Sequence, residues 1–327
     1  MLRDEVLALL KAREGKPLSG EEMSRALGVS RAAVWKAVTA LRSEGYTIDA
    51  LPGRGYRLSA SPDLLSPGEL VRPGRRVGGQ VVYLDRVDST NDECRRRAAT
   101  GAPDGLVVIA GEQTGGKGRR GRSFQSLPGK GLYLSLLLRP DVPLEEVSQL
   151  TAWTAVAVCR AVEGLTGLSC SIKWTNDILL EGRKLCGILT ELGIEGETGA
   201  LDYVVAGMGI NVSQTAEDFG ELAGVAVSLG QCLPAPPRRA QVAGALLEEL
   251  DRLAGRFPAA RADYLAEYRR RCATVGKEVR ILRPSGEVRA TALAVDDDFS
   301  LRVRREDGTE ETVTAGEVSV RGLLGYV

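Results

Sequence analysis

Gly111-Glu-Gln-Thr-Gly-Gly-Lys-Gly-Arg-Arg-Gly-Arg-Ser-Phe124 is the stretch on which the reading of the fold turns. Gly115, Gly116, Gly118 and Gly121 are interleaved with Lys117, Arg119, Arg120 and Arg122. Glycine reaches positive φ and lets a ligand come close to the chain. Backbone N–H groups and guanidinium forks in such a loop suit a phosphate chain. From Gly116 the loop spells G-x-G-x-x-G. From Gly111 it spells G-x-x-x-x-G-K, with Gly118 where a P-loop requires Ser or Thr. Both motifs need a strand before them and a helix after. Leu106-Val-Val-Ile-Ala110 reads as the strand before, but Leu132-Tyr-Leu-Ser-Leu-Leu-Leu138 reads as a second strand after. The order strand, loop, strand excludes the dinucleotide-binding and P-loop readings. Two remain open: a phosphate-binding loop, or a basic hairpin without a ligand.

The flanking segments carry further polar residues at element ends. Val81-Val-Tyr-Leu84 reads as a strand, and Asp88-Ser-Thr-Asn-Asp-Glu93 opens a helix to about Ala99. Ser89, Thr90 and Asn91 exceed what one N-cap requires, so they are either a redundant cap or a set binding a polar ligand head. Residues 144–165 read as one helix through Trp153, Val156 and Val162. Ile172-Lys-Trp-Thr-Asn-Asp-Ile-Leu-Leu180 reads as one strand-like run interrupted by Lys173, Asn176 and Asp177, which need internal partners or serve a ligand. Residues 181–184 read as a turn and 185–192 as the returning strand. Residues 204–212 read as another strand, with Asn211 a turn residue or a ligand contact. Lys117, Arg119, Arg120, Arg122, Lys173 and Lys184 all fall on loops or strand ends. Two like charges about 4 Å apart cost about 4 kcal/mol at an effective dielectric of about 20. Convergence of these cations predicts a loop that orders when an anion binds.

Residues 1–62 carry ten Lys and Arg against seven Asp and Glu. Val6, Leu9 and Leu10 mark a short helix. Ser19-Gly-Glu-Glu22 is a capping box opening a second, with Met23, Ala26 and Leu27. After Gly28-Val29, Ser30 caps a third helix over 31–44 with Val34, Val38 and Leu41 inward. Arg31, Lys36, Thr39 and Arg42 face outward, and Trp35 is expected to pack. Two short strands around Pro52-Gly-Arg54-Gly55 complete a wing. This is winged helix-turn-helix geometry, with Ser30, Arg31, Lys36, Thr39, Arg42 and Arg54 as candidate DNA contacts. The competing reading is a three-helix protein-interaction module. At the other end, residues 235–270 read as one or two helices. Strands over 279–282, 288–295, 301–304, 312–313 and 318–320, with turns at Pro284-Ser-Gly286, 296–298 and Asp307-Gly308, read as a small β-barrel.

Composition sets outer limits. The chain has 327 residues, net charge zero, 43% apolar and 26% charged residues, and no histidine. Any nucleic-acid binding must use a local patch, and Ser-His-Asp, Cys-His and His-ligated metal chemistry are excluded. The six cysteines lack C-x-x-C spacing, which suits free thiols in a reducing compartment. No apolar run reaches membrane-spanning length and the N-terminus is charged, so a cytoplasmic protein is expected.

Five blocks resemble biotin–protein ligases in order and spacing. They are Asp88-Ser-Thr-Asn91, Gln113 with Gly116-Lys-Gly-Arg-Arg-Gly-Arg122, Lys173-Trp-Thr-Asn-Asp177, Lys184-Leu-Cys-Gly-Ile188 and Gly207-Met-Gly-Ile-Asn211. With the winged helix, the whole chain resembles the bifunctional form, a biotin–[acetyl-CoA-carboxylase] ligase that is also the biotin-operon repressor. The resemblance implies an α+β chain with three domains: a winged helix-turn-helix over 1–62, a class II synthetase-like mixed-sheet ligase domain over 63–272 and an SH3-like barrel over 273–327. It implies biotin, ATP and Mg²⁺ as ligands. As partners it implies the biotin carboxyl carrier protein of acetyl-CoA carboxylase, operator DNA and a second copy of the chain, with no membrane.

The resemblance also implies roles for individual residues. Ser89, Thr90, Asn91, Gln113, Gly116, Lys117 and Gly118 surround biotin, and Gly209 lets the backbone approach. Arg119 and Lys173 bracket the carboxylate and α-phosphate as the catalytic pair. Arg120, Arg122, Asn176, Lys184 and Asn211 serve ATP, with Asp177 beside Mg²⁺. Lys117, Thr175 and Cys186 stand where the family usually has Arg, Pro and Ala, and Lys117 keeps the charge without the bidentate fork. A metabolite-sensing repressor without catalysis and a lipoate ligase are the alternatives. Pyrophosphate release distinguishes the first, and the Gly-Lys-Gly-Arg-Arg-Gly block argues against the second.

Overall fold

The computed structural model describes every residue except Met1, Pro73, Pro284, Ser285, 315–318 and 323–327, and of 319–322 it describes the backbone. The chain divides into two compact units, Met1–Val71 with Arg238–Ala240, and Arg72–Pro237 with Gln241–Val327.

The first unit holds α1 (Leu2–Ala12), α2 (Gly20–Leu27), α3 (Arg31–Ser43), β1 (Thr47–Leu51), β2 (Gly55–Ala60) and the short α4 (Pro67–Leu70). Val6, Leu7, Leu10, Met23, Val34, Val38 and Leu41 form its core, joined by Tyr46 and Ile48 from the wing. The Ser19 capping box is complete: Ser19 Oγ accepts from Glu22 N and Glu22 Oε2 accepts from Ser19 N. Gly28 closes α2 at φ 65°. β1 and β2 pair antiparallel, and Tyr56 and Leu18 exchange both backbone hydrogen bonds. A side chain at Gly55 would come within 2.2 Å of Leu18 O, so this residue must be glycine for the wing to dock. Trp35 corrects the sequence expectation: it is 55% exposed rather than packed.

The second unit is built on a seven-stranded sheet in the order β3-β4-β5-β9-β8-β7-β6. Its strands are β3 (Val81–Val87), β4 (Val107–Gln113), β5 (Gly131–Leu138), β6 (Ser171–Lys173), β7 (Asp177–Leu180), β8 (Arg183–Ile194) and β9 (Leu201–Asn211). Only β3 and β4 run parallel; the other neighbours are antiparallel. α5 (Thr90–Ala99) is the crossover that parallel strands require. Its Cys94 and Ala98 pack on Val108, Leu137 and Val205. The helix expected over 144–165 is instead α6 (Leu144–Val147) and α7 (Leu150–Thr166). Ser148 Oγ donates back to Glu145 O at the break, a local bond that competes with the helix. The strand expected over 172–180 is also two strands, because residues 174–176 turn the chain back between β6 and β7.

Beyond the sheet lie α8 (Ala216–Phe219), α9 (Leu229–Cys232), α10 (Arg239–Arg256) and α11 (Arg261–Arg271). Trp153 of α7 stacks on Tyr264 of α11 with centroids 3.9 Å apart. The C-terminal part is a five-stranded antiparallel sheet, β13-β12-β11-β10-β14. It comprises β10 (Glu278–Arg283), β11 (Gly286–Val295), β12 (Leu301–Arg305), β13 (Glu310–Val313) and β14 (Ser319–Gly322). Of the expected features here, Pro284-Ser285 and Val318 lie outside the described residues. Among the described residues no helix is long and apolar enough to cross a membrane.

Candidate active site

β4 leaves the sheet at Gln113 and the chain returns as β5, antiparallel to it, so the glycine-rich stretch connects two strands as its sequence required. It folds on itself. Gly118 N donates to Arg122 O at 2.6 Å and Phe124 N to Gly116 O at 2.8 Å, around a single 3₁₀ turn at Arg119–Gly121. Arg120 and Gly121 lie at φ 58° and 72°, which explains one glycine of the set.

The start of α5 provides a polar floor. Ser89, Thr90 and Asn91 are 2–4% exposed. Ser89 precedes the helix, yet its hydroxyl makes no capping bond; its N–H donates to Asp88 Oδ1 at 2.7 Å. The redundant-cap reading therefore fails here, since Thr90 and Asn91 are committed to a side-chain network. Gln113 Oε1 accepts from Thr90 N at 2.8 Å and from its hydroxyl at 3.0 Å, while Gln113 Nε2 donates to Ser126 Oγ at 2.8 Å. Ser135 Oγ lies 2.7 Å from Thr90 Oγ1 and 2.6 Å from Asn91 Oδ1. Asn91 Nδ2 donates to Glu191 Oε2 at 2.7 Å. Asp88 is clasped by Arg96 at 2.8 and 2.7 Å. These bonds, then the Ser89 N–H, hold its carboxyl down at about 2.

Strands β8 and β9 supply an open wall. Gly187 pairs with Gly209, and Gly207 lies opposite Ser135. A Cβ at Gly207 would sit 2.1 Å from Asn91 Oδ1, and one at Gly209 2.5 Å from the Phe124 ring. Lys117, Arg119 and Lys184 stand around this floor and wall with internal partners. Lys117 Nζ lies 2.7 Å from Asp92, and Lys184 Nζ 2.7 Å from Asp177. Arg119 donates to Asn176 Oδ1 at 3.1 Å. Burial pushes the Arg119 guanidinium below its usual range, against the pull of Asp177 and with the push of Arg120. The cost expected from converging like charges is thus offset by Asp92 and Asp177.

One pocket brings together Ser89, Thr90, Asn91, Gln113, Lys117, Gly118, Arg119, Asn176 and Lys184. Gly187, Ile188, Gly207, Met208 and Gly209, all from the quoted 184–188 and 207–211 blocks, also line it. Sequence reading assigned no site role to Phe124 and Leu189 in the lining, or to Ser135 and Glu191 beneath it. Ser135 had a signal, as the one aliphatic hydroxyl in a strand otherwise made of glycine, leucine and tyrosine.

The other candidates lie outside that lining. Lys173 is 7% exposed at the end of β6. Gly116 is enclosed by Phe124 O, 2.4 Å from where a Cβ would stand. Arg122 is exposed. Arg120 donates to Leu282 O of β10 at 2.8 Å. Asn211 Nδ2 donates to Val227 O at 3.1 Å and its Oδ1 accepts from Gln214, which favours its reading as a turn residue. Among the described residues no three His, Cys, Asp or Glu side chains are grouped to hold a metal.

In the first unit, Ser30 Oγ accepts from Ala33 N as the cap of α3. Arg42 donates through Nε to Ile48 O at 2.9 Å, bracing β1. Arg31, Lys36, Thr39 and Arg54 are exposed. Arg31 and Trp35 line an open groove with Leu51, Pro52, Gly53 and Tyr56.

Three family models match in sequence order: an HTH domain over 3–57, the biotin/lipoate A/B protein ligase family over 83–211 and the biotin protein ligase C-terminal domain over 274–321. The bifunctional ligase/repressor BirA of Bacillus spizizenii is 35% identical over 326 residues, covering 96% of this chain and 97% of that protein. BirA of Escherichia coli is 30% identical, covering 97% and 96%. The solved biotin protein ligase of Aquifex aeolicus, in complex with biotin and ATP, matches with a TM-score of 0.64 at 26% identity, covering 74% of this chain and 99% of that one. The polar floor, glycine wall and cationic loop thus stand in a chain that belongs to the biotin–protein ligase family, in its bifunctional ligase/repressor form.

Proposed function

We propose that the protein attaches biotin to a lysine of a biotin carboxyl carrier protein in two steps, and that its winged helix represses transcription in response to biotin. In the first step a biotin carboxylate oxygen attacks the α-phosphorus of ATP. The bond from that phosphorus to the α,β-bridging oxygen breaks, and pyrophosphate leaves with both electrons of that bond. In the second step the acceptor lysine amine attacks the acyl carbon of biotinyl-5′-adenylate, AMP departs, and the amine proton is lost as the amide forms. A carboxylate is already a nucleophile, so a chain without histidine can start this reaction. The difficulty is bringing two anions together, which cations must offset where charge develops.

The observation that carries this reading is the meeting, in one pocket, of the buried Ser89, Thr90 and Asn91 and the half-buried Gln113 with Lys117, Arg119 and Lys184. A ureido and carboxylate group fits the floor, and a phosphate fits the cations. On this assignment Arg119 and Lys173 serve the carboxylate and α-phosphate, and Arg120, Arg122, Asn176 and Lys184 serve the nucleotide. Asn211 acts through the 211–228 loop it holds. Mg²⁺ arrives on the phosphates of ATP, a mode that asks for few protein ligands. Asp177 is the nearest carboxylate we assign to it, and an anionic nucleotide would draw Lys184 away from it. The functional domains are taken as 1–62, 63–272 and 273–327, in a cytoplasmic protein.

The repressor role rests on the exposed Arg31, Lys36, Thr39 and Arg54 beside the wing groove, with operator DNA as partner and a homodimer spacing two recognition helices. Incubation with biotin, ATP and Mg²⁺ tests the catalytic reading. Pyrophosphate release that depends on biotin, and that lipoate does not elicit, is expected. Tight biotin binding without pyrophosphate would favour a sensor without chemistry.

A further inference from the structure

The turn after Lys173 is held from outside the catalytic sheet. Trp174 is 3% exposed. Its backbone N–H donates to Thr274 Oγ1 at 2.9 Å, and its indole Nε1–H donates to Phe299 O at 2.9 Å. Tyr268 OH donates to Thr175 O at 3.2 Å. On the strand itself, Ala273 N donates to Ile172 O at 2.9 Å. Phe299 is fixed in turn. It occupies the left-handed region at φ 65° and is 4% exposed. Its N–H donates to Asp296 O, and its ring meets Tyr268 edge-on at 5.5 Å. The β11–β12 turn is therefore a rigid acceptor aimed at one side chain of the catalytic sheet.

A buried indole N–H needs a partner wherever it sits, so packing alone accounts for one bond. It does not account for the joint placement. Both Trp174 donors reach C-terminal residues, and they bracket the peptide immediately after Lys173. We infer that Trp174 is a positioning residue for adenylation: through Thr274, ahead of β10, and Phe299, in the β11–β12 turn, the C-terminal part sets where the Lys173 ammonium stands. The inference rests on the role given to Lys173 above. It goes further by making the C-terminal part of the chain a determinant of the turnover rate through one residue.

Trp174→Phe in the full chain keeps a ring and removes the Nε1–H. The readouts are pyrophosphate release at saturating biotin and ATP, the biotin Kd by direct binding, and both again in a Lys173→Ala background. Misplacing a catalytic group by about 1 Å costs up to roughly 100-fold. The expected result is a 10- to 100-fold fall in kcat with the biotin Kd within about three-fold. In the Lys173→Ala background the same change should cost less than about two-fold, because residues acting as one unit are not additive. Thr274→Val, which removes the other acceptor, should lower kcat several-fold with the same non-additivity, and it carries the test if Trp174→Phe fails to fold. An equal loss with and without Lys173, or a loss of biotin affinity in step with kcat, would overturn the inference. A Lys173→Ala protein at the full rate would remove the underlying role of Lys173 itself.

Discussion

Gly207 is the residue at which packing and ligand binding are hardest to separate. A methyl group there would meet Asn91 Oδ1 at 2.1 Å. Asn91 has little room to retreat, because Ser135, Glu191 and Leu189 O all hold its amide. Overpacking at such a site costs about 1–3 kcal/mol. At Gly209 the nearest atoms are the ring of Phe124, a side chain that can rotate. Gly207→Ala is therefore expected to weaken biotin binding at least about ten-fold by titration calorimetry, and Gly209→Ala distinctly less. Equal losses would mean that Asn91 is not the fixed partner its hydrogen bonds indicate. At this scale the sequence showed Ser89, Thr90, Asn91 and Gln113 as polar groups in excess of local need. It could not show Glu191 or Phe124, whose roles come from strand register and from a loop folding back. The same limit explains Trp35, which has the helical spacing of a packing residue but lies beyond the edge of the core.

At the scale of elements, α7 and α11 are joined by an ionic cluster away from the pocket. Arg271 reaches Glu163 at 2.5 Å and Glu267 at 2.7 Å, and Arg160 reaches Glu267 at 2.5 Å. Burial pushes both carboxyls up. The hydrogen bonds of Arg271 to Glu163, and of Arg160 and Arg271 to Glu267, outweigh it, so both lie below the ordinary range. A depressed carboxyl gives stability that is full above its unfolded value, about 4.3, and is lost as pH falls through the folded value. Glu267→Gln is expected to lower stability by about 2 kcal/mol at pH 7, since it leaves Arg160 without its main partner. That difference should shrink as urea midpoints are measured at pH 4 and then pH 3. A constant difference would show that the charge is not what joins the helices. Strand and helix identities were largely legible from periodicity. The breaks at Ser148 and at Trp174–Asn176 were not, because each depends on hydrogen bonds that apolar spacing does not encode.

For the whole molecule, a net charge of zero means that DNA binding must use a local patch, which we assign to the basic face of the first unit. On a duplex selected by the protein from a random pool, affinity should fall steeply with salt. Lys36→Ala should reduce the slope of log affinity against log salt by about one. Binding should also rise when biotin and ATP are supplied together, and indifference to them would break the link between the two activities while leaving the ligase reading intact. The order of the domains was legible because each carries its own local signature: a capping box and wing, a polar-headed helix with a glycine-rich loop, and short strands between turns. The contacts that bring Thr274 and Phe299 against Trp174 span about a hundred residues and more, and no local pattern announces them. The most direct measurement of the central claim is biotin transfer to a purified biotin carboxyl carrier domain, followed by intact mass with ATP, Mg²⁺ and biotin present. The account predicts one added biotinyl group on one lysine, with one pyrophosphate released per group and both lost in Lys173→Ala. An unmodified carrier, or a carrier modified equally well without ATP, would contradict it.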